Sequence, residues 1–136
     1  MSFAMSGPLQ AAVYDRLRND PDLGAIVGGA VYDALPSGKL PQIYVRLGSE
    51  TVTDASDCSG GGAVHRITVS VITSNPGFAQ AKAAAAAISD ALQDADLNLS
   101  RGRLVSLRFE RARAVRVERA ATRQIDLRFI ARVQDD

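Results

Sequence analysis

The chain has 136 residues, 46% of them hydrophobic, and 16 lysines and arginines against 15 aspartates and glutamates give a net charge of +1. That length suits one domain with one core, and the apolar content argues against disorder. MSFAMSGPLQ lacks the basic-then-apolar pattern of a signal, no run approaches the roughly 18 apolar residues of a membrane span, and the lone Cys58 allows neither an intrachain disulfide nor a cysteine-built zinc cluster, so a soluble intracellular product without a membrane role is expected.

In chain order, Ser6 with Pro8 two residues later opens a helix whose apolar stripe is Leu9, Ala12, Val13 and Leu17. Asn19-Asp20-Pro21 ends it, because the residue before proline is pushed away from helical geometry. Residues 21–27 suit one more short helical turn, with Leu23, Ile26 and Val27 over the core, before Gly28-Gly29 breaks the chain. Val31-Tyr32-Asp33 is a short extended piece. From 42 to 53, Ile43, Val45 and Leu47 alternate with Tyr44, Arg46 and Gly48, the pattern of a half-buried strand. Residues 54–62 (DASDCSGGG) read as a glycine-rich, mobile loop. A second strand, 64–73, turns Ile67, Val69 and Val71 inward and should pair antiparallel with the first.

The stretch 76–94 organises the rest. Phe78, Ala81, Ala85, Ile88 and Leu92 recur at helical spacing, and 83–87 are all alanine, the best helix former. Asn75 suits the N-cap and Pro76 the first turn. A helix walled with alanine can approach a sheet closely, and it links the strands on either side by a crossover. Two alternating runs follow. In 103–118 the inward side reads Val105, Leu107 and Phe109, then thins to Arg111, Arg113, Val115 and Val117. After a weak turn at Ala120-Ala121, 122–133 returns with Ile125, Leu127, Phe129, Ala131 and Val133 on one face. The expected fold is a single α+β domain, 1–136, with a mixed, mostly antiparallel sheet of four to five strands and helices packed on one face. A C-terminal β-hairpin arm, about 110–123, projects beyond the domain's own core.

Charge is unevenly spread: residues 1–100 carry 6 basic and 10 acidic side chains (−4), residues 101–136 carry 10 and 5 (+5), which together give +1. Arg108, Arg111, Arg113, Arg116, Arg119 and Arg123 could form a basic stripe along the hairpin, interrupted by Glu110 and Glu118. Nucleic-acid binding would want aromatics interleaved as stacking platforms, and Phe109 alone is nearby. A solvated or subunit-contacting hairpin is the simpler reading, with a small arginine-rich DNA-binding module as the alternative. Catalysis has little to stand on. His65 is the only histidine, beside the loop holding Ser56, Asp57, Cys58 and Ser59, but no nucleophile elbow is present and one His with one Cys closes no zinc site. Ser59-Gly60-Gly61-Gly62 lacks the Lys-Ser/Thr and helix start of a phosphate loop. No cofactor, metal or catalytic residue is expected, and the chain is not read as an enzyme.

Laid out in order, the chain carries Leu9-Gln10-Ala11-Ala12-Val13-Tyr14; Leu23, Val27, Gly28 and Gly29 before Val31-Tyr32-Asp33; Pro36; and Pro41-Gln42-Ile43-Tyr44-Val45-Arg46-Leu47-Gly48. His65, Gly77, Ala81-Lys82 and Leu104-Val105-Ser106-Leu107-Arg108-Phe109 complete the series. In this order the segments resemble the tail terminator (tail completion) proteins of long-tailed phages, in particular the gene transfer agent version found in alphaproteobacteria. The resemblance runs from about Leu9 to Val133. Where such proteins often carry aromatics before the central helix, this chain has Val71-Ile72-Thr73.

The resemblance implies structural work: a six-fold ring of identical copies that caps the tail tube, stops its polymerisation and joins the tail to the head–neck connector. Its implied partners are further copies of the chain, the tail-tube protein and the connector or stopper protein, with DNA passing through the lumen without specific binding. Assembly would take place in the host cytoplasm, and the product would sit in the tail and neck of a phage-like particle. Another neck protein, such as a stopper, is the alternative in the same setting. The interface candidates are Arg111, Arg113, Arg116, Arg119 and Arg123 with Asp57, Ser59, Gly60 and Gly61 of the glycine loop, which a partner could order on binding.

Overall fold

The computed structural model describes residues 3–55 and 61–135. Helix α1 (Ser6–Arg18) and the short α2 (Pro21–Val27) precede strands β1 (Val31–Tyr32), β2 (Ile43–Asp54) and β3 (Gly61–Thr73). Helix α3 (Ala79–Leu92) leads to β4 (Arg103–Val117), a single 3-10 turn (Glu118–Ala120) and β5 (Thr122–Asp135). The five strands form one sheet in the order β1-β2-β3-β5-β4. β1 runs parallel to β2, and every other neighbouring pair is antiparallel. β3 and β4 therefore point the same way, α3 crosses between them, and β5 fills the gap hydrogen-bonded to both. This is the expected mixed α+β architecture, with five strands.

Directly opposed residues share a face, so the register sorts the sheet into rows. One face carries Val45–Val71–Ile125–Ala114, Leu47–Val69–Leu127–Ala112 and Ile67–Phe129–Phe109. The three helices pack on this face and on one another as one layer. Ala81, Ala84, Ile88 and Leu92 of α3 are fully buried there. Burying Ile88 and Leu92 contributes roughly 1.5–3 kcal/mol each. The buried stripe also takes in Ala87 and Ala91, so the helix lies closer and broader on the sheet than five positions alone suggested.

Four details depart from the sequence reading. Helix α3 begins at Ala79 and not at Pro76, because Gly77 adopts φ 131° and breaks helical geometry. Asn75 does not cap it; its side-chain amide donates to Gln80 instead. Gly61 and Gly62 belong to β3 and not to the loop, and a Cβ at Gly62 would crowd the Ala55 carbonyl across the ladder. Bulges interrupt β2 between Leu47 and Glu50, and β4 between Leu104 and Ser106 and between Phe109 and Arg111. Each bulge shifts the inward positions by one residue. Val105, expected inside, is 47% exposed, while Leu104 packs against the core.

The hairpin also differs from a free-standing arm over 110–123. β5 stays paired to β3 as far as Arg123, opposite Thr73, so that half of the hairpin lies inside the sheet. Only the turn around Glu118–Ala121 runs past the paired residues. The outer half of β4 is nevertheless bare: Ala112 and Ala114 lie on the helix side opposite Leu127 and Ile125, yet both are exposed.

Two substitutions probe this packing. Ala81→Leu should overpack the helix–sheet contact and lower unfolding free energy by about 1–3 kcal/mol in a denaturant titration. Gly102, at φ 62°, turns the chain into β4 where a Cβ would meet the Gln134 carbonyl and the Met5 side chain. Gly102→Ala should cost at least about 1 kcal/mol by the same measurement.

Candidate assembly surface

β4 is the outer strand of the sheet, and its first half is covered. The Asp94 amide donates to the Leu107 carbonyl at 2.9 Å, and the Phe109 amide donates to Gln93 Oε1 at 2.8 Å. The turn after α3 thus closes the edge as far as Phe109. From Arg111 to Val117, no other element among the described residues hydrogen-bonds to the outer side of the strand. A bare edge of this kind is a template for pairing with another chain.

On the helix-free face the rows are polar: Arg46–Ser70–Asp126–Arg113 and Thr68–Arg128–Arg111. Glu110, the extra residue of the second β4 bulge, lies 3.6 Å from Arg128 Nε and 3.8 Å from Arg66 Nε. Asp126 accepts from Ser70 at 2.6 Å and from Gln124 at 2.8 Å. Arg111, Arg113, Arg128 and Asp126 line a depression of about 220 Å³ with Ser49 and Thr68. Three guanidinium groups line it beside one carboxylate, Asp126, which makes no ion pair with them among the described residues. Arg111 stands directly opposite Arg128, and Arg116 opposite Arg123, like-charge pairings that destabilise a sheet unless something anionic meets them.

The expected interface residues therefore separate. Arg111, Arg113, Arg116 and Arg119 are exposed, and the one ion pair they make among the described residues, Arg116 to Glu118 at 3.9 Å, is too open to water to contribute much. Arg123 is committed to its own chain: it donates to the Asn75 carbonyl at 3.1 Å and lies over the Phe78 ring at 5.6 Å. Gly61 sits in β3 opposite Asp135. Asp57, Ser59 and Gly60, together with Ser56 and Cys58, lie outside the described residues. At the base of the hairpin, Asp135 takes both Arg101 Nε and a terminal guanidinium nitrogen, at 3.0 and 2.8 Å. That hydrogen-bonded carboxylate raises the Arg101 pKa above its ordinary value.

His65 is fully buried, where the sequence left it exposed or satisfied. Its Nδ1 lies 2.9 Å from Glu50 Oε2, and Ser6 Oγ donates to Glu50 Oε1 at 2.5 Å. His65 Nε2 is buried with no hydrogen-bond partner among the described residues. The β2 bulge makes this cluster, by turning Glu50 to the helix side beneath the start of α1. One carboxylate thereby ties α1 to β2 and β3. With the carboxylate in the middle, serine and histidine are not paired as nucleophile and base, and the cluster reads as a structural latch. Ser6 and Glu50 were missed from sequence; Gly48-Ser49 inside a strand pattern was the available signal. Among the described residues no group of three or more His, Cys, Asp or Glu could hold a metal, and no helix is long and apolar enough to cross a membrane.

A small α+β domain with one face clothed by helices, an arginine-rich open face and an unpaired strand edge has the features of a subunit built to contact other proteins. The family model for tail completion protein gp17 matches residues 11–134, and the chain belongs to that family of structural tail proteins. Among solved structures it is similar to a chain of the virion of a native gene transfer agent particle, at 63% identity and a TM-score of 0.93, covering 98% of this chain and 99% of that one. A comparison with curated proteins finds no match.

Removing the latch should be felt. Glu50→Ala leaves His65 and Ser6 buried without their acceptor and should destabilise the fold by about 1–3 kcal/mol in urea unfolding, while Glu50→Gln, which keeps an acceptor oxygen, should lose less.

Proposed function

We propose that the chain is the tail terminator of a gene-transfer-agent-like particle. Copies close into a six-fold ring on the last ring of the tail tube, stop its growth and present a surface to the head–neck connector. The observation that carries this reading is the similarity to a virion chain of a gene transfer agent, which spans nearly the whole of both chains. The work is structural and not enzymatic. Assembly takes place in the host cytoplasm, after which the ring remains in the tail and neck.

Physical features support it. A ring needs a heterologous interface that closes on itself, and the bare outer half of β4 with its exposed arginines offers one side of such an interface. DNA passes through the lumen, and a channel that must release DNA gains nothing from a strong grip on phosphates. The arginines are then better explained by protein contacts than by nucleic acid.

Binding to the tail-tube protein separates a terminator from a stopper. The purified chain should capture its tail-tube protein directly and appear as a closed ring on isolated tails by electron microscopy. Capture of the connector alone, with the tube protein left free, would reassign it as a stopper.

A further inference from the structure

We infer that Arg111 and Arg113 of one subunit dock into an acidic groove on the next copy, between the C-terminal half of α1 and the turn that follows α3. This rests on the ring reading above and assigns the two surfaces that such a ring joins. The groove has a volume of about 460 Å³, and its lining includes Asp15, Asp20 and Asp96 with one cation, Arg16. Arg16 is already committed, its Nε donating to the Ala91 carbonyl at 3.1 Å. Asp20 is committed too, as the N-cap that accepts from the Leu23 amide at 2.9 Å. The Asp15 and Asp96 side chains are exposed and carry no ion pair or hydrogen bond among the described residues. The groove thus holds two uncompensated carboxylates in a space wide enough for guanidinium groups.

The opposite surface has the complementary deficit. No carboxylate among the described residues reaches Arg111 or Arg113. Arg111 also faces Arg128 across the ladder, and since Glu110 meets only Arg128 of the two, an incoming carboxylate would relieve Arg111. Arginine suits the task because its planar fork can take a carboxylate with two hydrogen bonds.

Geometry makes the contact intermolecular. The groove lies at the C-terminal end of α3, where Asp94 bonds to Leu107. Arg111 and Arg113 lie further along β4, roughly 13 and 20 Å from that point, and on the helix-free face, whereas the groove is built from the helix layer. One subunit therefore cannot place its own arginines in its own groove, and pairing runs head to tail, the arrangement that closes into rings. Nucleic acid is the less favoured occupant. Phe109, the aromatic of β4, is packed edge-on against Phe129 on the helix side and offers no base a platform on the arginine face. The near-neutral chain also carries its own counter-surface, which a phosphate-binding role does not require.

The test reverses charge on each surface separately. One variant carries Arg111→Glu and Arg113→Glu; the other carries Asp15→Arg and Asp96→Arg. Thermal melts confirm that both fold, and native mass spectrometry with the tail-tube protein present reads assembly. Each variant alone should self-associate about tenfold or more weakly than wild type. An equimolar mixture should recover rings of alternating subunits, since each reversed surface then meets its complement. Rings of wild-type size from either variant alone, or folded variants whose mixture stays unassembled, would overturn the pairing while leaving the ring reading in place. A wild-type chain that stays monomeric with the tube protein present would remove both. Loss of DNA retention in the arginine variant with ring size unchanged would assign the surface to nucleic acid instead.

Discussion

The structure depends on β5 being held between β3 and β4. It is paired to β3 from Arg123 to Asp135 and to β4 across the hairpin, so it is an interior strand although it comes last in sequence. Its alternation fixes the two faces of half the sheet. Ile125, Leu127, Phe129, Ala131 and Val133 are buried on one side, while Gln124, Asp126, Arg128 and Arg132 project on the other. Helix α3 can lie only on the apolar side. The charge brought by the C-terminal segment is thereby delivered to the opposite face and to the outer edge. Closing the sheet requires contacts between residues some 60 positions apart, of the non-local kind that folds slowly, so the domain is incomplete until its last strand is made.

Much of this was legible because period-two and period-3.6 patterns are strong in this chain. The alanine face of α3, the inward sets of β2, β3 and β5, and the two short helices before β1 follow directly from side-chain spacing. The bulges did not, because an inserted residue changes register without changing composition. Val105 looked like a core residue until the first β4 bulge turned it outward, and Glu50 drew no notice until the β2 bulge turned it toward His65. Nor could spacing foresee that Gly77 at positive φ would deny Asn75 and Pro76 their place in the helix.

The candidate surface was half legible. Counting arginines found the basic stripe but could not tell that Arg123 is spent on Asn75 and Phe78 while Arg111 and Arg113 meet no carboxylate among the described residues. The apolar face that thins after Phe109 was a sound signal of an uncovered segment. Its cause is that α3 ends against Leu107 and Phe109, leaving Ala112 and Ala114 without a helix above them. The partner segment was hidden in a different way. Asp15 and Asp20 are distant in sequence from Asp96 and share a groove because α1 packs against α3, where Arg16 also bonds to the Ala91 carbonyl.

The alternation of alanine and arginine along the outer half of β4 has a further physical sense. A long bare strand of apolar residues would pair with any other edge. Here Arg111 and Arg113 flank Ala112 on the helix-free side and Arg116 follows Ala114 on the helix side, so bringing two such edges together sets guanidinium against guanidinium. The free subunit is thereby kept from joining edge to edge with its own kind in the wrong way. A surface offering carboxylates at the right separation removes that repulsion and gains charge-assisted hydrogen bonds in its place. The same side chains that forbid promiscuous pairing thus select the permitted one, which is what the proposed terminator, a subunit kept separate until it meets the tube end, would require of its edge.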